Sequence, residues 1–232
     1  MLRIEALVQA RMSSRRLPGK VLRPLCGKPV LEYVIERLMR CRTLDELVVA
    51  TFVDVSDDPV QALCSALGVY CHRGSLDNVA RRYREAVEAR GLDAFVRVSG
   101  DSPLIDHALV DSAVDLFRTG DWDVVSNVFP RTFPAGQSVE VVSAEALERA
   151  VDATSAADEL EHPTLFFYRH PKRFRIHNMT SEEDHREVHL SLDTEAYAAS
   201  IEAIIGHMTR PHWEYSWQEI ATLYASVAEA SP

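Results

Sequence analysis

Four short apolar runs, each followed within a few turns by an amphipathic stretch, fill the first half of this chain. The runs are Ile4–Ala10, Leu47–Thr51, Val69–Arg73 and Ala94–Val98. The stretches are Val30–Arg42, Pro59–Leu67, Asn78–Arg90 and Asp106–Phe117. Leu31, Val34, Ile35 and Leu38 fall at i, i+3, i+4 and i+7, one apolar stripe along a helix. Strands alternating with helices of about 10–15 residues pack as an α/β fold, a doubly wound and mostly parallel sheet. In such a sheet ligands collect beyond the carboxyl ends of the strands. Two segments that leave strands, Ala10–Lys20 and Ser99–Asp106, are therefore the first places to look for a site.

The second half is less regular. Val124–Ser126, Ser138–Val142, Arg173–Asn178 and His189–Leu192 are expected strands. Ala144–Val151, Glu159–Arg169, Glu195–Met208 and Trp217–Ala228 are expected helices. With 232 residues and roughly 100–200 per domain, residues 1–232 are read as one domain, with about 127–190 inserted into it. The formal charge of −10 argues against nucleic acid or an anionic membrane as partner, since both need a basic face. No apolar run approaches the ~18 residues of a membrane helix. The first residues, MLRIEALVQA, are too short and too acidic for a signal peptide. Cys26, Cys41, Cys64 and Cys71 lack metal-ligand spacing and read as free thiols, so a cytoplasmic protein is expected.

Against that acidic background, residues 9–20 hold four cations, two hydroxyls and a Pro-Gly turn: Gln9-Ala10-Arg11-Met12-Ser13-Ser14-Arg15-Arg16-Leu17-Pro18-Gly19-Lys20. A loop at a strand end exposes backbone N–H groups where a polyphosphate can lie, and Arg forks and a Lys point charge suit its oxygens. The alternative is a solvated basic loop. Neither GxxxxGK[ST] nor GxGxxG is present, which disfavours a nicotinamide cofactor. In Val98-Ser99-Gly100-Asp101-Ser102-Pro103, Asp101 ends a buried run, where it is either a turn residue or a ligand for Mg²⁺ bound to phosphate oxygens. Asp106 reads as the N-cap of the following helix. Asp193, in Leu190-Ser191-Leu192-Asp193-Thr194-Glu195, is either an ordinary helix start or a second metal carboxylate.

Together these segments resemble the sugar-activating cytidylyltransferases. That group includes the CMP-KDO synthetases, the acylneuraminate cytidylyltransferases and, most similar, the spore coat polysaccharide biosynthesis protein F group. The resemblance rests on QARMSSRRLPGKVL and GKPVLEYVIERL, then DELVVAT, Arg73–Asp77, VRVSGDSPLID, SVEVVSAEALERA, Glu161–Thr164 and LSLDT, and runs from about residue 6 to 200. It implies a Rossmann-like nucleotidyltransferase fold of the GT-A type with a small dimerisation lobe. It implies transfer of CMP from CTP to a sugar acid or related sugar, with release of pyrophosphate and Mg²⁺ as cofactor, in surface glycan synthesis. By the same resemblance Arg11, Arg16 and Lys20 contact the triphosphate, and Ser13 and Ser14 line the nucleotide, with Ala10 near the base. Arg73 and Asp77 border base and ribose, and Asp101 and Asp193 hold the metal. A homodimer is implied as well. Competing readings are a UTP- or GTP-dependent sugar-1-phosphate nucleotidyltransferase and a catalytically silent nucleotide-binding pathway protein.

Other residues invite a role on their type alone. Glu140 is a lone carboxylate in an apolar strand, and either faces the acceptor or pairs with an Arg. His185 and His189 share a face at i, i+4, with no cysteine to complete a zinc site. Phe166, Phe167 and Tyr168 form an apolar helix face suited to a dimer contact. Trp213, Tyr215 and Trp217 read as a packing cluster at the start of the last helix.

Overall fold

A computed structural model describes residues 2–14, 16–75 and 78–230. In chain order the strands are β1 (Ile4–Gln9), β2 (Pro24–Leu25), β3 (Lys28–Pro29), β4 (Leu47–Phe52), β5 (Tyr70–Gly74), β6 (Ala94–Ser99), β7 (Val124–Ser126), β8 (Glu140–Ser143) and β9 (Ile176–Asn178). The helices are α1 (Val30–Leu38), α2 (Asp58–Ala66), α3 (Val79–Arg90), α4 (His107–Thr119), α5 (Ala144–Ala153), α6 (Ala157–Glu161), α7 (Leu165–Arg169), α8 (Glu195–Gly206) and α9 (Trp217–Ala230). Among the described residues seven strands form one mixed sheet in the order β5-β4-β1-β6-β8-β7-β9, and β2 and β3 make a separate hairpin.

The four N-terminal strands β5, β4, β1 and β6 are parallel, and β8 runs antiparallel to both β6 and β7. Strand residues alternate between two cores, as a period of two requires. Ala6, Val8, Val49, Val96 and Val98 pack with Leu31, Ile35, Val60, Val110 and Val114 of α1, α2 and α4. Leu7, Val48, Phe95 and Val142 face the other way, onto Val79, Tyr83, Leu147 and Phe167 of α3, α5 and α7. Helices on both faces make this the doubly wound α/β sheet expected. A third core joins α8 and α9 to Leu25, Tyr33, Leu104, Leu190 and Leu192. No helix of the described residues is long and apolar enough to cross a membrane.

The stretch 127–190, read as an insertion into the sheet domain, supplies β8 and β9 to the sheet. Three other expectations change. The helix expected over Glu159–Arg169 is broken into α6 and α7, since Pro163 has no N–H to donate and pushes His162 out of the helical region (φ −120°, ψ 83°). His189–Leu192 is not a sheet strand. It makes one bridge, Ala135 to His189, and Leu190 N–H donates to Ala135 O at 2.7 Å. The dimer face built on Phe166 and Phe167 is also corrected: both rings are buried in the second core, against Phe174.

Candidate active site

The basic loop leaves the carboxyl end of β1, and its shape is set by Met12. The Met12 carbonyl accepts from Ser14 N–H (3.0 Å) and Gly19 N–H (2.9 Å). The Met12 N–H donates to Oδ1 of the fully buried Asp57 at 2.9 Å. The other oxygen of Asp57 accepts from Thr51 Oγ1 and from Phe52 N–H at 3.4 Å, which ties the loop to the end of β4. Folded this way, the loop turns Lys20 inward, its side chain 11% exposed, and leaves Arg16 outward at 68%.

Asp101 follows β6, and Gly100 lets it sit there. The Gly100 N–H donates to Gln9 O at 2.8 Å, and a β-carbon on Gly100 would lie 2.8 Å from that oxygen. Asp193 reaches the same place from far along the chain. The Leu192 N–H donates to the Asp101 carbonyl at 2.8 Å, so the backbone of one segment holds the other. The Lys20 ammonium then contacts both carboxylates, Asp101 Oδ2 closely and Asp193 Oδ1 at 2.9 Å. Arg16 adds a second ion pair to Asp193 Oδ1 at 2.8 Å. Burial pushes the Asp193 pKa up, but Lys20 and Arg16 outweigh it and hold this carboxyl below its ordinary value.

Lys20, Arg16 and Asp101 line a cavity of about 340 Å³, and Asp193 stands behind them on Lys20 and Arg16. Arg11 and Ser14 line it as well, together with Gln9, Ser99, Arg97, Glu161 and His162. Arg11 bonds Glu161 at 3.2 Å across the opening. Ala10 is buried in the first core and Ser13 is exposed; neither lines the cavity. Arg73 points elsewhere too. Its guanidinium is engaged at every nitrogen by Phe52 O, Asp58, Gln61 and Asp54 O, on the connection from β4 to α2. Asp77 lies outside the described residues.

Sequence reasoning gave no role to Arg97, Asp57 or His162. Arg97 carries a readable signal, a lone cation in an apolar strand directly across the sheet from Glu140. The two pair at 2.5 Å, so Glu140 takes the Arg-pairing alternative. His162 lines the cavity from the break between α6 and α7, just before Pro163. His185 and His189 do not converge: His185 packs edge-on to Trp217, 5.0 Å between centroids, and His189 stacks on Tyr197 at 4.7 Å.

Among the described residues no three His, Cys, Asp or Glu side chains gather into a closed metal cage. Asp101 and Asp193 instead offer two carboxylates converging on one cation-sized position, which the Lys20 ammonium takes here. That donor set fits Mg²⁺, which commonly uses one or two carboxylates and completes its shell with substrate phosphates and water.

Residues 5–208 match the family model described as cytidylyltransferase. The chain belongs to the cytidylyltransferase family. Among curated relatives, the spore coat polysaccharide biosynthesis protein SpsF of Bacillus subtilis is 33% identical over 207 residues, 85% of this chain and 84% of that protein. A 3-deoxy-manno-octulosonate cytidylyltransferase of Geobacter sulfurreducens is 36% identical over 113 residues, 48% of this chain and 44% of the relative. Among solved structures, a cytidylyltransferase from Leptospira borgpetersenii superposes with a TM-score of 0.94 at 28% identity, covering 99% of this chain and 96% of that one. A CMP:2-keto-3-deoxy-manno-octonic acid synthetase complexed with CTP shares the fold, with a TM-score of 0.68 at 17% identity over 88% of this chain and 98% of that one. This cytidylyltransferase carries its basic loop and Asp101 at the carboxyl ends of β1 and β6, with Asp193 brought beside them from an irregular segment; in doubly wound folds ligands collect at that edge.

Proposed function

We propose that this cytidylyltransferase transfers CMP from CTP to an oxygen of a sugar acid or related sugar, releasing pyrophosphate, in the synthesis of a surface glycan. The observation that carries the reading is the meeting of Lys20 and Arg16 with Asp101 and Asp193 in one ion-pair cluster beside the cavity, reached from three distant parts of the chain. The acceptor oxygen attacks the α-phosphorus in line and the pyrophosphate oxygen leaves. The protein contributes position and charge rather than a covalent intermediate. Arg11, Arg16 and Lys20 offset the charge that accumulates on the leaving pyrophosphate, and Ser14 and the loop N–H groups orient the chain of phosphates. Mg²⁺ held by Asp101 and Asp193 would neutralise phosphate oxygens and polarise the attacked phosphorus. A carboxylate pair of this kind separates the reading from a silent nucleotide-binding protein, which has no use for it.

Base choice is tested by melting the protein with Mg²⁺ and each nucleotide. A ligand at about 100 times its Kd adds about 2.7 kcal/mol, so CTP should give the largest shift. An equal or larger shift with UTP or GTP would point instead to a sugar-1-phosphate nucleotidyltransferase. We also infer a cytoplasmic homodimer, which light scattering tests against the 26.1 kDa of one chain.

A further inference from the structure

Arg97 and His162 line a second cavity as well as the first. It measures about 220 Å³, and its other walls include Arg131, Ser138, Glu140, Thr164 and Tyr168. Its charges do not balance. Glu140, 1% exposed, spends one carboxylate oxygen on Arg97 at 2.5 Å and accepts from Tyr168 Oη on the other at 2.5 Å. Burial and the neighbouring Glu140 push the Tyr168 phenol well above its ordinary pKa, so it remains a donor. Arg97 is thereby neutralised and fixed.

Arg131 has no such partner. Its Nη2 donates to Ser138 Oγ at 2.9 Å, and its Nη1 makes a long contact of 3.4 Å with Pro134 O. Among the described residues no carboxylate stands within ion-pair distance of it. Burial pulls its pKa down, against the weaker opposing pull of Glu140 and Tyr168. The side chains of His162 and Thr164 on the same wall make no hydrogen bond to another described residue. Two guanidinium groups facing one carboxylate leave the cavity with one positive charge in excess, partly withdrawn from water. Such a charge is costly until a counter-ion meets it.

We propose that Arg131 is the specificity-determining residue for the acceptor: its guanidinium receives the one anionic group, carboxylate or phosphate, of the sugar that takes the CMP. The assignment rests on the cytidylyl-transfer reading, because that reaction needs an acceptor beside the nucleotide cavity. The planar fork suits either anion in bidentate fashion. Ser138, Thr164 and His162 are placed to bond sugar hydroxyls, and a neutral sugar would leave Arg131 unpaired, a mismatch that a polar site rejects strongly.

Calorimetry tests this without requiring turnover. Wild type, R131A and R131K, each saturated with CMP, are titrated with a panel of sugar acids, sugar phosphates and the neutral parent sugars. At least one anionic member should bind saturably while its neutral parent does not. R131A should weaken that binding by about 10- to 100-fold, the loss of one charge-assisted contact. R131K should recover part of it, and the nucleotide affinity of all three proteins should be the same. The sugar-acid and sugar-phosphate arms decide which anion is read. Neutral sugars binding as well as charged ones, anion binding indifferent to R131A, or no binding by any anionic member each overturns the proposal. Failure of the cytidylyl reading itself shows separately, as absence of CMP and CTP binding in wild type.

Discussion

Lys20 stands where a cation must stand, and replacing it by Met exposes what it holds apart. The methionine keeps most of the apolar stem and removes the ammonium. Both carboxylate oxygens touch one nitrogen, so they lie within two hydrogen-bond lengths of each other, about 6 Å at most. At about 5 Å and an effective dielectric of about 20, two unit charges repel by about 3 kcal/mol. The aspartate side chains are only 13% and 21% exposed, so solvent does not screen much of that. Arg16 still pairs with Asp193 in the variant and offsets part of this, so at about 2–4 °C per kcal/mol for a chain this size K20M should melt by up to about 6–12 °C below wild type in chelator at pH 7. Magnesium at about 10 mM, if it binds the folded pair with a Kd of about 1 mM, should restore about 1.4 kcal/mol in K20M and less in wild type, where the ammonium competes.

The pH dependence should change sign as well. In wild type the Asp193 pKa is lowered on folding, so its contribution is present above the unfolded carboxyl value near 4 and is lost as pH falls through the folded value. In K20M one carboxyl of the repelling pair has its pKa raised, so the folded state binds the extra proton and the variant gains stability from pH 7 to pH 5. A K20M melting point within about 2 °C of wild type in chelator, with no response to Mg²⁺ or acid, would refute this account of the pair.

Two further outcomes follow from the same geometry. D101N and D193N should each abolish Mg²⁺-dependent pyrophosphate release, and the double variant should be little worse than either, because residues acting as one unit are not additive; a steady-state assay showing additive losses would separate them. G136A should lower both stability and turnover: Gly136 has φ +94°, and a β-carbon there would lie 2.5 Å from the Leu190 carbonyl, so the segment carrying Asp193 must move. Wild-type kinetics in G136A would mean that Asp193 is not held through that contact.

The first half of the fold was legible because its information is local. An apolar stripe such as Leu31, Val34, Ile35 and Leu38 states its own period, and the expected elements shift by a residue at strand ends and by a few at helix ends, where α1 stops at Leu38 rather than Arg42; the two-residue strands β2 and β3 were not expected. In the second half the short strands β7 and β9 fall where strands were expected, at Val124–Ser126 and within Arg173–Asn178. What the sequence did not show is how they pair, because partners such as Val124 and Ile176 lie 52 positions apart. The basic loop was visible through its charge in an acidic chain. What shapes the loop was not: Asp57 acts by accepting from the backbone N–H of Met12, and a backbone donor leaves no mark in a sequence.

The convergence of Asp101 and Asp193 shows the same division. The expected strand His189–Leu192 put Asp193, like Asp101, at a strand end, and the two would share an edge if both strands belonged to one sheet. Only Asp101 is there. Asp193 comes from an irregular segment that leans on Asp101's own carbonyl through Leu192 N–H, and on Ala135 through Leu190 N–H. The aspartate pair is therefore not two independent placements. The position of the second carboxylate is set by the backbone of the first and by the turn around Gly136, which itself adds no charge. The chemical identity of the pair is local and could be read; its geometry belongs to these long-range backbone bonds and could not.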